Sequence, residues 1–197
     1  MKKSILPLIA CLLVASAHAQ ISKGDKLLGG SFGINYNQSS PNTGSGSNTN
    51  IQPSFKFAYK TNRTIGFSFD MNYWSQKSDD GKSENNQFSL APMLNFTQYY
   101  PIKGNFGWWL NEGVGMSFSN SKSLSNGTES KSKGTSVFAT VDPGLYYMVG
   151  ANKQWMLHGS VGGIGGYYRD ANGSTSWGIN MRLFTYYQFG FAYVFKK

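Results

Sequence analysis

The chain has 197 residues, a length that suits one domain, and carries 18 Lys and Arg against 9 Asp and Glu. The basic residues are scattered rather than gathered into a stripe, which argues against a nucleic-acid partner. Mean hydropathy is slightly negative and no apolar run outside the first twenty residues is long enough for a membrane helix, which excludes a helical membrane protein but leaves a β-barrel open.

The chain begins MKKSILPLIACLLVASAHAQ, with Lys2 and Lys3 ahead of an apolar run and then Ala17-His18-Ala19 before Gln20. This is the anatomy of a secretory signal peptide, residues 1–19, with the mature domain spanning 20–197. Leu8-Ile9-Ala10-Cys11 also resembles a lipoprotein lipobox, but the apolar run continues past Cys11 through Leu12, Leu13 and Val14. Cleavage after Ala19 removes the single cysteine, so the mature chain has no disulfide, thiol nucleophile or thiolate metal site.

Eight segments of period-two alternation follow. In chain order they are 26–37 (Leu28, Phe32, Ile34, Tyr36 on one face), 51–60 (Ile51, Phe55, Phe57, Tyr59) and 64–74 (Ile65, Phe67, Phe69, Met71, Tyr73). Next come 87–100 (Phe88, Leu90, Leu94, Phe96), 105–118 (Phe106, Trp108, Leu110, Val114, Met116, Phe118) and 135–149 (Val137, Val141, Leu145, Tyr147, Val149). The last two are 154–168 (Trp155, Leu157, Val161, Tyr167) and 176–195 (Tyr187, Phe189, Phe191, Tyr193, Phe195).

The connections alternate between long polar stretches (38–50, 77–86, 119–134, 169–175) and tight turns (61–63, 101–104, 150–153). The fold class is therefore all-β: an eight-stranded antiparallel up-and-down transmembrane β-barrel, with both termini at the tight-turn, periplasmic end. Opposite the aromatic stripes stand Gly, Ser, Ala, Asn, Thr and a few charges, which suit a narrow, polar, filled interior. A lipocalin-like soluble barrel would need its large apolar residues inside, so the stripe is expected to face lipid. Closure also satisfies every backbone group in hydrocarbon and removes the edge strands. Tyr36, Tyr59, Tyr73, Trp74, Tyr99, Tyr100, Trp155, Tyr167, Tyr168, Trp177 and Tyr193 are expected in the interfacial girdles.

Residues 143–168, PGLYYMVGANKQWMLHGSVGGIGGYY, place a proline and aromatics before a short turn, then an aromatic and a glycine-rich strand. In this the chain resembles the outer-membrane β-barrel domain family of Gram-negative bacteria, a porin-like family related in architecture to the small OmpA/OmpX-type barrels. The resemblance implies an integral outer-membrane protein in contact with lipid and lipopolysaccharide, with no shared catalytic site and no cofactor. It also implies insertion by the barrel-assembly machinery, which reads a terminal aromatic strand. Tyr193 and Phe195 fit that signal, while Lys196 and Lys197 depart from it.

Lys56, Asp70, Asp142, His158 and Arg182 fall on inward faces and are expected to form an interior polar network. Glu112, in contrast, falls on the lipid side, where a bulge over 111–113 would turn it inward, and Pro92 and Pro143 are expected at further bulges. His158-Gly159-Ser160 has the spacing of a lipid A deacylase pair, but no glutamate follows Glu129 and His158 lies close to a periplasmic turn. Gly162 to Gly166 lack the strand-to-helix turn of a nucleotide loop. Asp79, Asp80 and Glu84 match no EF-hand spacing. The functional expectation is a non-catalytic surface protein acting through 38–50, 77–86 and 119–134, with a minor solute channel as the alternative.

Overall fold

The computed structural model describes residues 20–38, 45–78, 83–125, 127–171, 173–181 and 188–197, with side chains for all of these except 34–38. The expected signal peptide with Cys11, and Asp79, Asp80, Arg182 and Tyr187, lie outside the described residues.

Ten antiparallel strands form one sheet: β1 (Lys26–Gln38), β2 (Ser45–Lys60), β3 (Arg63–Lys77), β4 (Ser83–Lys103), β5 (Phe106–Ser125), β6 (Thr128–Val149), β7 (Trp155–Ser160), β8 (Ile164–Ala171), β9 (Ser174–Met181) and β10 (Gln188–Phe195). The sheet returns on itself, because β5 pairs with β4 on one side and β6 on the other, while β6 leads through β7 and β10 back to β1. A closed ring leaves none of these strands with an open ladder at that level.

Among the described residues ten strands stand where eight were expected: 154–168 is divided into β7 and β8, and 176–195 contributes β9 and β10 on either side of 182–187, which lie outside the described residues. The first division has a visible cause. β7 and β8 lie in succession along β6, with Gly144 opposite Ser160 but Val141 opposite Ile164, so the partner strand carries one extra residue. Gly162, at φ 90°, takes up the irregularity, and Val161 N donates to Pro143 O. The bulge expected at Pro143 thus sits on the strand facing it. At Pro92 the register passes unshifted on both sides, so no bulge occurs there.

That extra residue has a consequence for facing. A one-residue slip moves every later side chain to the other face. Tyr168 is accordingly exposed while Tyr167 turns to the interior, reversing the expected orientation of Tyr167. Tyr99 also leaves the expected girdle and is buried inside. Elsewhere the predicted stripe stands: Leu28, Phe55, Phe67, Phe88, Val114, Leu145, Leu157 and Phe191 are all exposed on the outer surface.

The long connections are shorter than expected because strand pairing runs far into them. β5 and β6 stay paired out to Ser125 opposite Thr128, and β8 and β9 to Ala171 opposite Ser174, with Gly127 and Gly173 at φ 80° and 79° in the reversals. Past the apolar band both faces of these ribbons are polar, so alternation vanishes although the ladder continues.

At the opposite end the interior is apolar, not polar as expected. Leu27, Tyr99, Tyr146, Met148, Met156, Ala192 and Val194 pack with Ile21 into a plug. Tyr99 and Tyr146 meet edge to face, their centroids 5.5 Å apart. Residues 20–25 fold across this end as a hook. Gln20 Nε2 donates to Gly104 O at 2.7 Å, and Asn62 N donates to Ile21 O at 2.9 Å.

Lys196 and Lys197 fasten the hook. Lys196 Nζ donates to Gln20 O at 2.7 Å and to the buried Asp25 Oδ2 at 3.0 Å, while Lys197 N donates to Asp25 Oδ1 at 3.3 Å. Asp25 Oδ2 also accepts from Ser22 N at 2.9 Å. Lys196 keeps 30% of its side chain exposed and can return to water if its partner is lost, which limits the penalty. Asp25→Ala is expected to cost about 2 kcal/mol, read as a lowered urea midpoint of the folded protein in detergent, with Lys196→Met costing at least as much because it leaves the buried Asp25 carboxylate without its cation.

Candidate functional site

The interior above the plug is built from the inward positions of every strand. Its lower part is a hydrogen-bonded chain of side chains. Lys56 Nζ donates to Thr97 Oγ1 at 2.8 Å and reaches Asn111 Oδ1 at 3.4 Å, and Thr97 Oγ1 donates to Asn111 Oδ1 at 2.7 Å. Asn111 Nδ2 then donates to Asn95 Oδ1, and Asn95 Nδ2 to Ser68 Oγ. Trp109 lies within this layer, with Lys56 Nζ 6.0 Å from its ring and His158 edge-on at 6.3 Å. Glycine makes room for His158: a Cβ at Gly190 would strike its imidazole. This layer encloses a small cavity of about 60 Å³.

Asp70 and Asp142 belong to a higher layer. Asn50 Nδ2 donates to Asp70 Oδ1, and Gln188 Nε2 donates to Asn50 Oδ1 at 3.1 Å and to Gln52 Oε1 at 3.3 Å. Asp142 stands opposite Asn111 across β5 and β6, with its carboxyl against the backbone of Gly163. The structure thus brings Lys56 and His158 together beside Trp109, while Asp70 and Asp142 line the space above them. Most of the bonds belong to Asn50, Gln52, Asn95, Asn111 and Gln188, amides whose inward parity was readable but which draw less notice than charges. Among the described residues no group of three His, Cys, Asp or Glu side chains could hold a metal.

Above the lower layer the barrel is hollow, and Asp70 and Asp142 stand in its wall. A polar cup of about 590 Å³ opens at the hairpin end, floored by Trp109 and Asn111. Small inward residues make this space, among them Ser89, Ala91, Ser117, Ser136, Gly163 and Gly165.

The outer surface carries one departure from its apolar pattern. Glu112 keeps register with Phe96 and Val141, without the expected bulge, and is exposed between Leu110 and Val114. It stands midway in the outward series from Phe106 to Phe118. The β5 ladder must pair on both sides here, and Gly113 beside it has no room for a Cβ, which would lie 2.8 Å from Met93 Sδ. Glu112→Leu is expected to raise stability in bilayers by about 1 kcal/mol, measured by urea unfolding in lipid vesicles, since a carboxylate in the apolar band is unfavourable.

At the closing seam, Tyr193 stacks edge-on against Trp155 and Phe195 at 4.9 and 4.7 Å, on the outside of β10. The two residues expected to form the assembly signal thus join one exterior aromatic cluster.

Fold and interior define a class: a closed antiparallel β-barrel with an apolar exterior, a plugged end and a polar cup. No family model and no curated protein matches the chain. Among solved structures it is similar to the crystal structure of Neisserial surface protein A (NspA), at 15% identity and a TM-score of 0.43, covering 88% of this chain and 98% of that one.

Proposed function

We propose that the protein is an integral outer-membrane β-barrel with a non-catalytic surface role, carried by the hairpins that extend beyond its apolar band. The observation that supports this is the ring of exposed apolar side chains, interrupted at Glu112, around a closed sheet. In water such a surface would associate, whereas acyl chains solvate it at no cost. On this reading β7 with β8, and β9 with β10, each count as one stave, which would give eight transmembrane paths with both termini at the periplasmic end.

The hairpin of β5 and β6 is the longest projection. Near its tip Glu129 bridges Lys122 at 2.8 Å and Lys131 at 3.1 Å, and the hydrogen bonds from these ammonium groups hold its carboxyl below the usual range. These groups are solvated, so they shape the surface for a partner more than they stabilise the fold.

Replacing residues 121–132 by an Asn-Gly turn would connect Asn120 to its register partner Lys133. The shortened barrel should insert and retain its heat-modifiable gel mobility, while binding to cells or host surfaces falls; loss of the folded barrel would overturn this division of labour. A channel role is less well supported, because the apolar plug closes the end opposite the cup. Planar-bilayer recordings of the purified barrel should show no discrete conductance.

A further inference from the structure

We infer that the cup is a binding site for a neutral polyhydroxylated ligand, a short saccharide entering from the hairpin end. Its volume of about 590 Å³ lies within the roughly 300–1,000 Å³ of small-molecule sites.

The lining chemistry selects the class. Asn48, Asn72, Gln87, Ser119, Ser176 and Asn180 supply amides and hydroxyls. These groups both donate and accept, as sugar hydroxyls do. Charge does not select an ion. Asp70, Asp142 and Arg169 line the cup and Lys56 lies beneath its floor, so among the described residues acid and base are balanced.

The wall is also built to present aromatic rings. Phe138 and Tyr167 are register partners on β6 and β8. A Cβ at Gly178 would lie 2.8 to 2.9 Å from the Tyr167 hydroxyl and ring, and one at Gly115 would lie 2.9 Å from the tip of Phe138. Each ring therefore lies along the wall over a glycine instead of crossing the lumen, which leaves the hollow open beside an apolar platform. Sugars need this combination, polar edges held by amides and an apolar C–H face resting on a ring.

One group inside is left without a partner. Thr140 Oγ1 is buried and makes no hydrogen bond, facing Gly113, while its Cγ2 faces Gly165 at the cup wall.

The test is calorimetric titration of the detergent-refolded barrel with a panel of neutral mono-, di- and trisaccharides, with citrate and spermidine as charged controls. Saturable binding of a neutral saccharide is expected. Ser136→Phe, which fills the cup from inside, should abolish it, while Tyr167→Ala should weaken it roughly fivefold to tenfold and Tyr167→Phe should change it little. Heat-modifiable gel mobility confirms that each variant is folded. No saturable heat with any saccharide, binding of the charged controls alone, or an affinity unchanged by Ser136→Phe would each overturn the assignment. The barrel with residues 121–132 replaced retains Ser117 and Ser136 and should still bind, so failure of the surface role and failure of the cup are separable.

Discussion

Tyr146→Ala is expected to lower the unfolding free energy by about 3–5 kcal/mol, the cost of emptying a large, fully enclosed aromatic site. Tyr146 is 1% exposed, lies in the centre of the plug and meets Tyr99 edge to face. Its neighbours cannot collapse into the space, because the ring sits against Gly107, where a Cβ would lie 2.6 Å from Cζ, and the surrounding ladder is fixed. The conservative change has the opposite sign. The Tyr146 hydroxyl is buried without a hydrogen-bond partner, so Tyr146→Phe should be neutral or mildly stabilising. Urea titrations of the three proteins in one detergent, followed by gel mobility, would check both. A large loss in the phenylalanine variant would mean that the hydroxyl is bonded and that the plug differs from the one described.

Phe67→Arg should cost about 2–4 kcal/mol in a bilayer, because a guanidinium at the midplane loses its hydration and finds no counter-charge. Phe67 is 60% exposed and stands between Phe55 and Leu94 on the neighbouring strands. The sign of this effect tests the membrane reading. On a surface facing water, exchanging an exposed phenylalanine for arginine would leave stability nearly unchanged and improve solubility. The check is the unfolding free energy of both proteins in vesicles, with Ser68→Ala as an interior control, since Ser68 Oγ accepts from Asn95 and its loss should cost only about 1 kcal/mol.

The outward stripe was legible because a two-residue period leaves little freedom: once Phe67 faces out, Ser68 faces in and Phe69 out. Three features were not. Tyr167 was assigned to the wrong face because one extra residue near Gly162 reverses parity, and nothing in the local alternation marks that residue. The plug was hidden because Leu145, Tyr146, Tyr147, Met148 and Val149 are apolar on both faces, so a stripe can be followed without noticing its filled reverse. The hairpin ends do carry a local signal, outside the apolar alternation that reveals the strands. Asn126-Gly127 and Asn172-Gly173 are dipeptides typical of two-residue reversals, and they place the turns far beyond the apolar band. The inward facing of the interior charges was readable by parity, but their height along the barrel is set by strand stagger, which a linear sequence does not express.

The seam between β1 and β10 joins Lys26 to Phe195, nearly the whole length of the described chain. Loop-closure entropy disfavours such a contact, and until it forms the sheet presents two bare ladders able to recruit another polypeptide. Maturation is thus a race between sealing and mispairing. The hook of residues 20–25 bears on that race, because its anchors Asp25 and Lys196 flank the two sides of the seam, so the latch engages only where β1 and β10 have come together.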